Sequence, residues 1–308
     1  MTRGATNGFA VVPKEWSGII TRTPTALLLP AARSSPTVIA RRRCCLGEVK
    51  MIFNDTVDDM IRHLNYDVKI QMVSVGKDAT KISQEMYPKF LSELYKAEPC
   101  TPPNISLYWI DSNDSLTLRA IIKQADFTYI IASSNDNEAV QTVSEAALCE
   151  KDSFSITAWL RSNDNHIEMP KLHTPCIEVT PQTVCIPLWD ICASHYIISF
   201  IGIDWEDISN AFKNYFDFSF VEIKGRKNAE EMIFDKDIAS IFQTMKVDNN
   251  LQNVNVVIYM KETCDLTILS TVFEMYSLLP NHIDVLQNIW LVDDNEQADD
   301  MVIRIYCG

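Results

Sequence analysis

Residues 186–208 read IPLWDICASHYIISFIGIDWEDI. Apolar side chains fill most positions up to Ile203, and then Asp204, Glu206 and Asp207 arrive together. A helix that is apolar nearly all round belongs inside a protein. The run therefore reads as a buried central helix over 186–203, ending in acids where the chain meets solvent. Asp204 can cap a second helix over 205–216, and the dipole favours Asp207 in its first turn. The central helix divides the chain into two halves with different rhythms.

Upstream, strands alternate with helices. VKIQMVSVG (68–76) is a β-branched strand that stops at a glycine. The helix after it is expected over 80–97, capped by Asp78 or Thr80 and kinked at Pro88. Strands follow at 105–111, 126–134, 154–160 and 176–179, with helices at 115–124 and 138–150. That order predicts a parallel, doubly wound α/β domain. Residues 161–175 read as loop.

Downstream, DFSFVEIKG (217–225) and VNVVIYM (254–260) read as strands. A helix is expected over 228–245 and another over 265–279. IDVLQNIWLVDD and DMVIRIYCG are two closing strands, joined by the polar hairpin connection DDNEQADD. This half predicts a smaller α+β domain with a mixed sheet. The domain reading is 1–50, a disordered basic extension; 51–185, the α/β domain; 186–203, the central helix; and 204–308, the α+β domain.

Net charge is -14 over 308 residues, unevenly spread. Residues 1–50 hold eight Lys/Arg and two Asp/Glu, leaving nineteen basic and thirty-nine acidic residues in 51–308. A body at -20 argues against nucleic-acid partners and anionic lipid, and for protein or cation partners. No run of apolar residues is long enough to cross a membrane as a helix. The nine cysteines follow no CxxC spacing and read as reduced thiols in a cytoplasmic protein.

Several stretches are similar to the FtsZ/tubulin superfamily. IGIDWEDI (201–208) resembles the FtsZ loop I-N-x-D-F-A-D-V at the base of its central helix. KGRKNAEEMIFDKDI (224–238) resembles the G-E-D-R-A-x-E-A-A-E-K-A-I segment. ADFTYIIAS (125–133) resembles the strand before the signature loop, and NIWLVDDNEQADDMVIRIYCG (288–308) the final hairpin of the core. The resemblance spans 68–308 and is strongest from 196 onward. It implies a nucleotide-type parallel domain, a central helix and a smaller mixed-sheet domain.

The departures concern the nucleotide. The family holds GTP on a glycine-rich loop, G-G-G-T-G-T-G; here the matching stretch is SSNDNEAVQ (133–141), without glycine. Backbone amides approach phosphate less closely when Cβ atoms crowd a loop, and Asp136 and Glu138 would repel phosphate. The first loop, VGKDAT (75–80), keeps only Gly76, which reads as a strand-to-helix turn. A degenerate nucleotide site would comprise Gly76, Lys77, Asp78, Asp111, Ser133, Ser134 and Asn135.

In the family, the acidic loop completes the neighbouring subunit's GTP site, positioning water and a cation in trans. The resemblance carries that role to Asp204 and Asp207. With the acids kept and the receiving pocket eroded, the chain is expected to associate with FtsZ-type or self subunits and to cap or regulate a GTPase filament, with no cofactor. The alternative is a divergent self-assembling GTPase using GTP with Mg. A third reading is a binding module for another ligand, lined by Asp111, Ser133, Ser134 and Asn135. The sequence stops where the FtsZ core does, so no FtsZ-type tail peptide is expected.

Other constellations read as structural. His166, His173, Cys176, Cys185, Cys192 and His195 match no zinc spacing. Cys149 with His166 lacks a recognisable oxyanion hole. The acidic run Asp293, Asp294, Glu296, Asp299 and Asp300 lacks the EF-hand order.

Overall fold

The computed structural model describes residues 68–97, 102–149, 154–161, 170, 172–197, 205–213, 217–228, 231–247, 251, 253–280, 282–292 and 299–308. These form two compact units. The proposed extension 1–50 lies outside the described residues.

Of the described residues, the first unit takes in those from Val68 to Ala193, together with Asp217 and Phe218. Its elements are β1 (Ile70–Val75), α1 (Lys77–Lys96), β2 (Ile105–Ile110), α2 (Ser115–Ile122), β3 (Phe127–Ser133), α3 (Asn137–Cys149), β4 (Ser155–Leu160), β5 (Cys176–Val179) and the first part of α4 (Ile186–Tyr196). The strands are parallel, in the order β2-β1-β3-β4-β5. Every residue of β1, β3 and β4 is buried, as expected of a parallel sheet covered on both faces. Val73, Val75, Ile130 and Ala132 pack against Leu118 and Ile121 of α2 and Ala139 and Val143 of α3. Elsewhere Phe90 of α1 meets Trp189 of α4 edge to face at 6.0 Å.

Two boundaries differ from the sequence reading. α1 begins at Lys77, directly after Gly76, and no side chain caps it. Asp78 lies in its first turn and Thr80 inside it, and the helix runs on through Pro88. The central helix is shorter than 186–203: α4 ends at Tyr196, and the chain has left the helix at Ile197. There the sequence turns to the β-branched pair Ile197-Ile198, which loses side-chain freedom in a helix.

The second unit holds Ser194–Tyr215 and Ser219–Gly308. Its elements are α5 (Trp205–Lys213), β6 (Asp217–Asn228), β7 (Glu231–Phe234), α6 (Ile238–Val247), β8 (Asn253–Lys261), α7 (Thr267–Met275) with a 3-10 turn at Tyr276–Leu278, β9 (Asp284–Val292) and β10 (Met301–Cys307). The sheet runs β6-β10-β8-β9, with β7 pairing β6. β8 and β9 are parallel, while β10 is antiparallel to both β6 and β8. One face packs Val256, Ile258, Met260, Ile289, Ile303 and Ile305 beneath Phe242 of α6 and Val272 of α7.

Two expectations fail here. The helix over 228–245 does not exist as such: β6 runs to Asn228, β7 occupies Glu231–Phe234, and α6 starts only at Ile238. The side chains alternate as a strand's do. Met232 and Phe234 pack on the core while Ile233 is 53% exposed. The closing strands are also not a hairpin, because β8 lies between β9 and β10. β8 is buried on both faces from Val254 to Met260. A strand of that kind belongs inside a sheet with a partner on each side.

Candidate functional site

In the order β2-β1-β3-β4, the chain turns one way after β1 and the other way after β3. Open α/β sheets bind ligands at such a reversal, beyond the carboxyl ends of the strands. Three loops converge there, following β1, β2 and β3.

The loop after β1 is Gly76 alone, at φ 85 and ψ 172. This backbone region is accessible in practice only to glycine. Its N–H donates to the Ile110 carbonyl at 3.1 Å, and its carbonyl accepts from Thr80 N–H at 3.0 Å. A Cβ added to Gly76 would lie 2.7 Å from Asp136 Oδ2 and 2.8 Å from Ser112 Oγ. The space beside the glycine is thus taken by a carboxylate and a hydroxyl.

Asp136 is held from two sides. Ser112 Oγ donates to its Oδ2 at 2.7 Å, and Ala139 N–H donates to its Oδ1 at 3.1 Å. It therefore serves as the side-chain cap of α3. Asp136 N–H in turn donates to the Ser133 carbonyl at 3.2 Å. Thr142, one turn into α3, donates through Oγ1 to the Ser112 carbonyl. A neighbouring cap follows the same chemistry: Asp114 accepts Thr117 N–H at 3.0 Å, and hydrogen bonding from Thr117 holds its carboxyl below the usual value.

The residues expected at a nucleotide site fall into two groups. Gly76, Ser133, Ser134 and Asn135 border the crevice. Ser133 is buried and its Oγ accepts Asn135 N–H at 3.3 Å; Ser134 Oγ donates to the Leu160 carbonyl at 3.2 Å. The Ser133 hydroxyl is thus engaged with its own loop and the Ser134 hydroxyl with the end of β4. Lys77, Asp78 and Asp111 are exposed, and the Asp111 carbonyl accepts Asp114 N–H at 3.2 Å. Ser112 and Thr142 were not anticipated. The one available signal was a serine two residues beyond the end of β2, in the loop beside Gly76.

In the second unit, Asp207 stands in the first turn of α5 with Glu206, as expected of acids at a helix start. Asp204 lies outside the described residues, so the acidic pair is visible only at Asp207. His195 is buried against Tyr196 at 4.6 Å and Trp205 at 5.4 Å, an aromatic packing role. Burial pushes the Cys185 thiol up to about 12 and the Cys192 thiol well above its ordinary value. Such thiols are poor nucleophiles and metal ligands. Among the described residues no group of three or more His, Cys, Asp or Glu is arranged to hold a metal ion. His166 and Asp293–Glu296 are outside them. Among the described residues, no helix is long and apolar enough to cross a membrane.

No family model matches the chain, and no curated protein matches it in sequence. Solved structures do match its fold. A point mutant of FtsZ from M. jannaschii superposes with a TM-score of 0.52 at 9% identity, over 81% of this chain and 93% of that one. An empty FtsZ dimer from M. jannaschii gives 0.50 at 9% identity, over 81% and 90%. The chain therefore has the FtsZ-like fold that its sequence resembles, with a mostly parallel sheet followed by a mixed one.

Proposed function

We propose that this chain works by protein–protein association in the cytoplasm, capping or regulating an FtsZ-type filament, and that its own crevice does not take GTP. The observation that carries this reading is the Asp136 carboxylate beside Gly76, fixed by Ser112 and by the start of α3. A bound phosphate needs open glycine backbone and donors free to face it. Here an internal anion stands next to the glycine and uses those donors. Two negative groups in one small crevice repel each other strongly. The fold supports the partner class: one FtsZ structure that shares it is a dimer. Asp207 on α5 supports docking against a subunit through the acidic end.

The test has two arms, both with the full chain. Binding of a GTP analogue with Mg is measured at several protein concentrations, and binding at micromolar affinity would sink the closed-crevice reading. Sub-stoichiometric chain is then added to polymerising FtsZ. Shorter filaments with the chain at their ends are expected; unchanged length and no co-sedimentation reject capping.

A second reading, a self-assembling GTPase, is favoured by Asp207 alone. It requires phosphate release that rises with protein concentration and disappears in Asp204→Ala with Asp207→Ala.

A further inference from the structure

Asp136 connects loops that are far apart in sequence. Through Ser112 it reaches the loop after β2, twenty-four residues upstream. Thr142 reinforces the same link by donating to the Ser112 carbonyl. Ser112 is thereby held through both its side chain and its backbone by the start of α3. The loop after β1 joins through Gly76, whose N–H is held by Ile110 at the end of β2 and whose bare Cα admits the Asp136–Ser112 pair. A carboxylate accepting from a hydroxyl and an amide makes charge-assisted bonds, stronger than neutral ones.

We propose that Asp136 is a built-in clasp that fastens the loops after β1, β2 and β3 into one arrangement without any nucleotide. It rests on the closed-crevice reading above but not on any partner. In a protein whose loops are ordered by a bound phosphate, ligand loss changes their state. A side chain that supplies the anion internally removes that dependence. The first unit then presents one loop arrangement whatever the nucleotide supply.

Amide hydrogen exchange on the full chain tests this at three reporters: Gly76, Asp114 and Ala139. Their N–H groups donate to Ile110, Asp111 and Asp136 respectively. Asp136→Ala is expected to raise exchange at all three by roughly tenfold, the scale of one lost hydrogen bond to a charged group. Ser112→Ala keeps the cap on α3 but breaks the bridge. It should raise exchange at Gly76 and Asp114 and leave Ala139 within about twofold. If Asp136→Ala changes Ala139 alone, or Ser112→Ala changes neither Gly76 nor Asp114, Asp136 is merely a helix cap and the clasp is rejected. Wild-type protection that appears only after GTP with Mg is added also rejects it. Should Asp136→Ala not fold, Ser112→Ala decides the question. A failure to bind FtsZ filaments leaves these rates unchanged, so the two proposals fail separately.

Discussion

Gly76 is the residue on which the crevice turns. It combines a positive φ with a missing Cβ, and the structure uses both. Gly76→Ala would force a strained backbone and push Asp136 and Ser112 apart. We expect a loss of about 1–3 kcal/mol, read from urea unfolding. If Asp136→Ala is added, the steric part of that loss should shrink while the backbone part stays. The sequence marked Gly76 as the turn after a strand and Asp136 as an acid misplaced for phosphate. It could not show that Asp136 finds Ser112, because hydrogen bonds across twenty-four residues leave no periodic trace. The Asp204 and Asp207 match came only from a family pattern, since helix capping explains the same two acids equally well.

At the scale of elements, parallel strands were legible because β1, β3 and β4 carry no charged residue, are rich in β-branched and aromatic ones, and end at turn residues. β7 was not. EMIF is four residues long, too short to separate a two-residue from a 3.6-residue rhythm, and it is flanked by good helix formers. What fixes it as a strand is Gly225 on β6. A Cβ there would lie 2.8 Å from Phe234 Cε1 and 2.9 Å from Met232 Sδ. Gly225→Ala should therefore cost about 1–3 kcal/mol through overpacking, and Phe234→Leu should recover part of it. A cost below about 0.5 kcal/mol would show that β7 shifts freely.

Asp300 ties three strands at the entry to β10. Its carboxylate accepts Lys227 N–H at 2.6 Å and Lys261 Nζ at 3.0 Å, and its own N–H donates to Gly225. Partial burial pushes its pKa up, but the Lys227 amide and the Lys261 ammonium outweigh that, and it titrates below its usual value. The folded pKa thus lies under the unfolded one, near 3.9. The resulting stability is complete above about pH 5 and is lost as pH falls through the folded value. Asp300→Asn should flatten that acid limb of a stability–pH curve. An unchanged limb would place the acid sensitivity elsewhere.

For the whole molecule, the family likeness and the fold agree although identity to FtsZ is 9%. Element order and apolar patterning carried that agreement, and neither depends on site chemistry. The strand order of the second unit was not legible, because the apolar patterns of β8, β9 and β10 say that each is buried without saying which are neighbours. The order found has a consequence during synthesis. β10 is the last of the described strands to leave the ribosome, yet it lies between β6 and β8 and pairs with both along seven residues. Until it arrives, β6 and the buried strand β8 present open edges, the condition under which nascent chains associate wrongly. A chain ending at residue 300 should aggregate on expression, and a separately supplied peptide of residues 299–308 should restore solubility by filling the gap. A soluble, cooperatively unfolding truncation would show that β6 and β8 can close on each other without it.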